Sequence, residues 1–183
     1  MPNEKLNKII TIILLIILIL CIIGTIYIIL NPKQTEYFTE FYILGKNGKA
    51  YDYPTDFFVG ENQTVIIGIV NHENRTVNYY VEIYLVNMTY NISENKTEYY
   101  IHNITLMDRF NITLPPKPLN VDKWEPQYEK NYTFTIKKPG KWQLWFILYK
   151  DKVPDENATN KINDAINNKY LSLKLNINVK NIY

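Results

Sequence analysis

Two histidines (His72, His102), two serines (Ser93, Ser172) and one cysteine (Cys21) are all that 183 residues offer of those types. Ser93 belongs to an Asn-x-Ser sequon and Ser172 falls on the polar side of an alternating run, so a Ser-His-Asp site lacks a nucleophile. Cys21 sits inside an apolar stretch, which leaves the rest of the chain without a thiol nucleophile or a disulfide. Metal chemistry needs His, Cys or carboxylates at ligand spacing. The nearest approach is Asn71-His72-Glu73, with Asp52 or Glu61 from another loop. The plainer reading is preferred: these residues turn the chain after a strand and hydrogen-bond its backbone. Asp52, Asp56, Glu61 and Glu73 offer oxygen ligands for calcium, without EF-hand spacing. Glu40, Asp52, Glu61 and Glu73 also offer carboxylates for glycoside hydrolysis, but spacing along the chain does not place any two of them at the required ~5–9 Å, and acids on a small sandwich are usually only solvated. No catalytic residue, metal ligand or cofactor is assigned.

A different chemistry is better represented. Asn62, Asn74, Asn87, Asn91, Asn95, Asn103, Asn111, Asn131 and Asn157 each begin an Asn-x-Ser/Thr sequon with no Pro in the middle. From Asn31 to Tyr183 there are 21 Asn, and 14 Ser or Thr, in 153 residues. Chance placement gives about two sequons, so nine are a surplus that points to N-glycosylation. The alternative is clustering of polar residues in turns. On a strand, the Asn and Ser/Thr of a sequon share a face. Asn131, Thr133 and Thr135 then oppose Tyr132, Phe134 and Ile136, and Asn111 and Thr113 oppose Phe110, Ile112 and Leu114.

Tyr42, Tyr51, Tyr53, Phe57 and Phe58 surround a Pro loop and are candidates for a sugar- or protein-contacting patch, against core packing as the alternative. Sequons are absent from Gln34–Glu61 and Asn160–Tyr183. Glycans exclude partners by bulk, so a contact surface is expected in those two segments.

Ile9 to Leu30 is a 22-residue stretch without a charge. As a helix it spans about 33 Å, enough for a bilayer core of about 30 Å. It is longer than a signal-peptide core and lacks an Ala-x-Ala site, so a retained signal-anchor is favoured over a cleaved signal. Lys5 and Lys8 precede it, and Lys33 after it is offset by Glu36, which orients the N-terminus to the cytoplasm. The expected organisation is a cytoplasmic tail (1–8), a transmembrane helix in contact with lipid (9–30), a linker (31–36) and an extracellular domain (37–183). The signs of charge beyond the helix are mixed, without a basic block, so nucleic-acid binding has no electrostatic footprint.

The domain reads in period two. Strands are expected at Thr39–Leu44, Thr64–Val70 (central), Val77–Val86, Tyr99–Leu106, Arg109–Leu114, Tyr132–Ile136, Trp142–Tyr149 and Leu171–Val179. Gly45-Lys46-Asn47-Gly48 reads as a turn. Lys138-Pro139-Gly140-Lys141 reads as a type II turn joining the strands on either side as a pair. Pro115 to Gln127 reads as a long loop, and Asp155–Asn168 as a loop with one marginal helical turn. Seven or eight short strands predict an all-β, immunoglobulin-like sandwich without the Cys…Trp…Cys pattern of antibody domains.

Two stretches carry a resemblance. One is Thr39-Glu40-Phe41-Tyr42-Ile43-Leu44-Gly45 with Gly48-Lys49-Ala50 and Asp52-Tyr53-Pro54. The other is Gly60-Glu61, Val65-Ile66-Ile67-Gly68-Ile69-Val70-Asn71-His72-Glu73 and Arg75-Thr76-Val77-Asn78-Tyr79. Together they resemble the extracytoplasmic part of an archaeal membrane-protein family, catalogued as domain of unknown function 1616. The resemblance spans most of residues 37–180. Members of that family usually carry several transmembrane helices before this domain, and here there is one. The resemblance implies an archaeal cell-surface location and no activity. The expectation is therefore a non-enzymatic surface module that binds an envelope protein or glycan. An accessory subunit of a multi-helix membrane assembly is second and a carboxylate hydrolase third.

Overall fold

A computed structural model describes residues 2–30, 37–93, 96–118 and 124–181. The chain divides into two units, Met1–Glu36 and Tyr37–Tyr183. The first contains one helix, α1 (Pro2–Leu30). Its segment Glu4–Leu30 is long and apolar enough to cross a membrane. The Thr11 and Thr25 hydroxyls donate back to the carbonyls of Asn7 (2.9 Å) and Cys21 (2.8 Å), so neither needs an outside partner.

The second unit is an immunoglobulin-like sandwich. Its strands are β1 (Thr39–Gly45), β2 (Asp56–Phe58), β3 (Asn62–Asn71), β4 (Val77–Ser93), β5 (Lys96–Leu114), β6 (Tyr128–Thr135), β7 (Gly140–Lys150) and β8 (Leu171–Lys180). A small sheet has the order β1-β3-β6 and a large sheet the order β2-β8-β7-β4-β5. All pairings are antiparallel except β2 with β8. Between the sheets, Val65, Ile67, Ile69, Tyr132 and Phe134 pack against Ile83, Leu144, Phe146, Leu175 and Ile177. Each such side chain contributes about 1.5–3 kcal/mol relative to exposure. A helix, α2 (Ala158–Ile166), covers the outer face of the large sheet, where Ile162 and Ala165 meet Tyr84, Trp145, Ile147 and Tyr149.

Several expectations need correction. β6 and β7 are not a pair: β6 joins β3 in the small sheet, and β7 lies between β4 and β8 in the large one. The Pro139-Gly140 turn carries the chain from one sheet to the other, with Gly140 at φ 123°. Burial pattern explains the assignment. β6 alternates and has a wet face, which suits an edge, whereas Leu144–Tyr149 is buried without interruption, which suits a central strand covered by a helix. Tyr99–Leu106 and Arg109–Leu114 form one strand, β5. Met107 and His102 are the unpaired residues of two bulges opposite Ile83/Tyr84 and Asn87/Met88. Asp155–Asn168 contains a nine-residue helix rather than a marginal turn. Asn157 caps it, its side-chain oxygen accepting the Asn160 N–H at 2.8 Å. The apolar contacts of Ile162 and Ala165 supply what the local propensity lacks. Three-residue β2 follows no sequence pattern and exists because β8 offers it a parallel edge.

Candidate functional site

Asn71-His72-Glu73 closes the end of β3, as the plainer reading expects. The buried Asn71 amide donates to the carbonyls of Arg75 (2.9 Å) and Leu114 (2.8 Å), and its oxygen accepts the Glu73 N–H (2.8 Å). His72 is buried against the Phe38 ring. Nδ1 lies 3.0 Å from the Lys117 carbonyl and Nε2 2.9 Å from Glu40 Oε1. Both ring nitrogens therefore face acceptor oxygens, which fixes the orientation of the ring. Trp124 Nε1 donates to the second Glu40 oxygen at 3.3 Å. Glu73 accepts from Thr39 and Lys150, and the Lys150 ammonium holds its carboxyl below the usual range.

The other acids are dispersed. Asp52 occupies a turn at φ 60°. Asp56 accepts from Asn178 at 2.9 Å and pairs with Lys180 at 3.3 Å, and the Asn178 hydrogen bond leads in holding its carboxyl low. Glu61 accepts the Phe58 N–H at 3.0 Å. Among the described residues, no three His, Cys, Asp or Glu gather where a metal ion would fit.

The five candidate aromatics do not form one patch. Phe57 is 4% exposed and belongs to the core, against the Phe134 ring, which corrects its reading as a contact residue. Tyr53 is half-buried, its hydroxyl donating to the Ile43 carbonyl. Tyr42 is half-buried and donates to Glu129 on β6. Tyr51 and Phe58 are exposed.

Asn95 lies outside the described residues. Asn62, Asn74, Asn91, Asn103, Asn111, Asn131 and Asn157 are exposed. Asn87 is half-buried, and its Nδ2 donates to the Lys141 carbonyl at 3.0 Å. The two strand faces expected from the sequons are present: Tyr132 and Phe134 are buried while Asn131 and Thr133 are exposed, and Leu114 is buried while Asn111 and Thr113 are exposed.

Sequence reasoning missed a concavity. Beyond Val86, β4 leaves β7 and continues with β5 as a two-stranded arm. The His102 bulge sits at the base of the arm, where an extra residue bends a strand. One face of the arm carries Met88, Tyr90 and Ile92, with Tyr99 directly opposite Tyr90. That face looks onto the outer side of β7 and β8, where Lys141 pairs with Asn178, Gln143 with Asn176, and Trp145 with Lys174. Between them runs an open groove of about 570 Å³. Tyr90, Ile92 and Tyr99 are 60%, 70% and 43% exposed. Asn91, one residue from both Tyr90 and Ile92, projects from the opposite face, as strand alternation requires. A second hollow of about 230 Å³ adjoins along β8 and shares Tyr99 and Lys174. Thr55, Asp56 and the β8 residues of the groove come from the two segments without sequons. The available signal was the apolar alternation Met88, Tyr90, Ile92 running on past the expected end of a strand.

The fold and the groove define an immunoglobulin-like β-sandwich domain with an open trough on one sheet. The chain belongs to the family described as domain of unknown function 1616, whose model matches residues 32–178. No curated protein matches it. Among solved structures it is similar to the CARDB domain of a Pyrococcus furiosus protein, crystallised in complex with di-metal ions. That match has 14% identity and TM-score 0.46, and covers 79% of this chain and 89% of that one. A β-glucosidase from Erythrobacter marinus matches at 9% identity and TM-score 0.43, over 79% of this chain and 16% of that enzyme. A superoxide reductase from Ignicoccus hospitalis matches at 12% identity and TM-score 0.37, over 82% and 86%. Likenesses this distant carry no functional argument.

Proposed function

We propose that this chain is a membrane-anchored, N-glycosylated binding module of the cell surface, without catalytic activity, and that the groove beneath the β4–β5 arm is its binding site. The observation that carries this reading is the arm itself: Tyr90, Ile92 and Tyr99 stand exposed above an open trough. Isolated exposed apolar residues need no explanation, but a contiguous set facing a concave surface marks an interaction site. The α1 helix supplies the anchor and the lysines before it keep the N-terminus inside.

The test combines topology and binding in cells making the native chain. Protease added to intact cells is expected to digest the domain, and sugar is expected on exposed sequons, with Asn87 unmodified because its amide is engaged. The double variant Tyr90→Ser/Tyr99→Ser is expected to melt like the parent and to lose co-sedimentation with isolated envelope. A protease-protected domain overturns the topology. Equal co-sedimentation of parent and variant overturns the site.

A further inference from the structure

We propose that the groove takes an acidic polysaccharide, a chain of sugars bearing carboxylate or sulfate groups. This rests on the reading of the groove as the binding site and adds the class of ligand.

The two walls differ in chemistry. The arm wall presents Tyr90 and Tyr99, whose flat rings suit the C–H face of a sugar ring. The floor presents Gln143, Asn176 and Asn178, whose planar amides match the paired hydroxyls of a sugar. Asn178 is engaged with Asp56, and Gln143 accepts from Trp145 Nε1 at 3.0 Å. Among the described residues the Asn176 side-chain amide has no hydrogen-bond partner, so both of its ends are available.

Charge selects within the sugars. Lys141 and Lys174 line the floor, and Lys174 is held with its ammonium 5.3 Å from the centre of the Trp145 ring. Among the described residues Asp56 is the one acid of the lining, and Lys180 pairs with it. The adjoining hollow adds Asn168 and Ser172 and, among the described residues, no acid. The continuous trough is therefore cationic and favours an anion along its length.

A protein partner fits less well. Protein interfaces centre on a desolvated apolar core, and here only one wall is apolar. Strand addition uses an open sheet edge, whereas this groove lies on the outer face of β7 and β8, and β2 covers the edge of β8 along Asn178–Lys180. The lining residues Tyr90 and Ile92 face away from Asn91, so a glycan on that sequon leaves the trough clear.

The experiment uses the full chain in nanodiscs, with intrinsic tryptophan fluorescence reporting through Trp142 and Trp145. The probes are an oligogalacturonate, a neutral galactan oligomer of equal length, and poly-glutamate. The oligogalacturonate is expected to bind at least about tenfold more tightly than either of the others, and its affinity to fall as salt rises. Lys141→Gln/Lys174→Gln is expected to remove the preference for the acidic sugar. Lys174→Arg is expected to keep it, and Tyr90→Ser/Tyr99→Ser to abolish sugar binding. Poly-glutamate binding equal to the oligogalacturonate overturns the inference in favour of an acidic peptide, and equal binding of the neutral galactan overturns the charge selection. No sugar binding, with envelope co-sedimentation still dependent on Tyr90 and Tyr99, overturns the inference while the proposed function stands. Co-sedimentation that ignores those tyrosines removes the proposed function as well.

Discussion

Beneath α2, Lys161 and Glu82 form a buried ion pair at 2.9 Å, and the Tyr84 hydroxyl donates to the same carboxylate at 2.7 Å. Tyr149 lies in this cluster, under the Tyr170 ring, and its buried hydroxyl oxygen has no hydrogen-bond partner among the described residues. Burial pushes the Tyr149 and Tyr84 phenols well above their usual range, and Glu82 adds to both effects. The two halves of the cluster should respond oppositely to substitution. Tyr149→Phe discards an unsatisfied oxygen and is expected to leave stability unchanged or raise it by about 1 kcal/mol. Glu82→Ala leaves the Lys161 ammonium buried and unpaired and is expected to cost about 3–5 kcal/mol. Urea denaturation of both variants checks the contrast. A large loss from Tyr149→Phe would mean that the hydroxyl has a partner after all. None of this was legible beforehand. Lys161 falls in the Asp155–Asn168 stretch that reads as a loop, and only the docking of α2 buries it opposite Glu82.

Two glycines show how neighbouring elements set the cost of a substitution. A Cβ on Gly45, at the end of β1, would lie 2.3 Å from the Tyr51 carbonyl oxygen, which is backbone and has little room to move. A Cβ on Gly68, in the middle of β3, would meet the ring of Tyr42, its partner across the β1–β3 ladder. That ring can swing outward by rotating its side chain and giving up the hydrogen bond to Glu129. Gly45→Ala is therefore expected to cost about 1–3 kcal/mol and Gly68→Ala less, with the order read from chemical denaturation. The reverse order would mean that the Tyr42–Glu129 contact across the small sheet matters more than the turn. At this scale the sequence was informative about strand existence. Both glycines fall where period-two reading placed a strand or its turn, and β3 was recognised as central from its apolar residues on both faces.

Across the whole sandwich, two ion pairs tie the β3–β4 corner to the end of β7: Glu73 with Lys150, and Arg75 with Asp151 at 2.6 Å. Hydrogen bonds from these cations lead in lowering the Glu73 and Asp151 carboxyls, and Asp56, on the edge strand β2, is lowered chiefly by Asn178. A carboxyl that is more acidic when folded stabilises the fold above its ordinary value, 4.5 for Glu and 3.8 for Asp, and that stability is lost as pH falls through the lowered folded value. The melting temperature is expected to hold from neutrality to about pH 5 and to decline below about pH 4, with Glu73→Gln giving a shallower decline. An identical decline in parent and variant would remove Glu73 from the account. The sequence by itself determined the apolar helix, the two-sheet class, most strand positions and the wet faces of the sequon strands, because each follows from residue period and charge along a short segment. It could not determine that β6 and β7 part company, that Phe57 turns inward or that residues 158–166 coil into a helix. Those outcomes depend on which distant strand offers a free edge or an uncovered apolar face. The groove is the extreme case: residues from Thr55 to Asn178 become neighbours only when β2 pairs with β8 and the bulged β4–β5 arm bends over them.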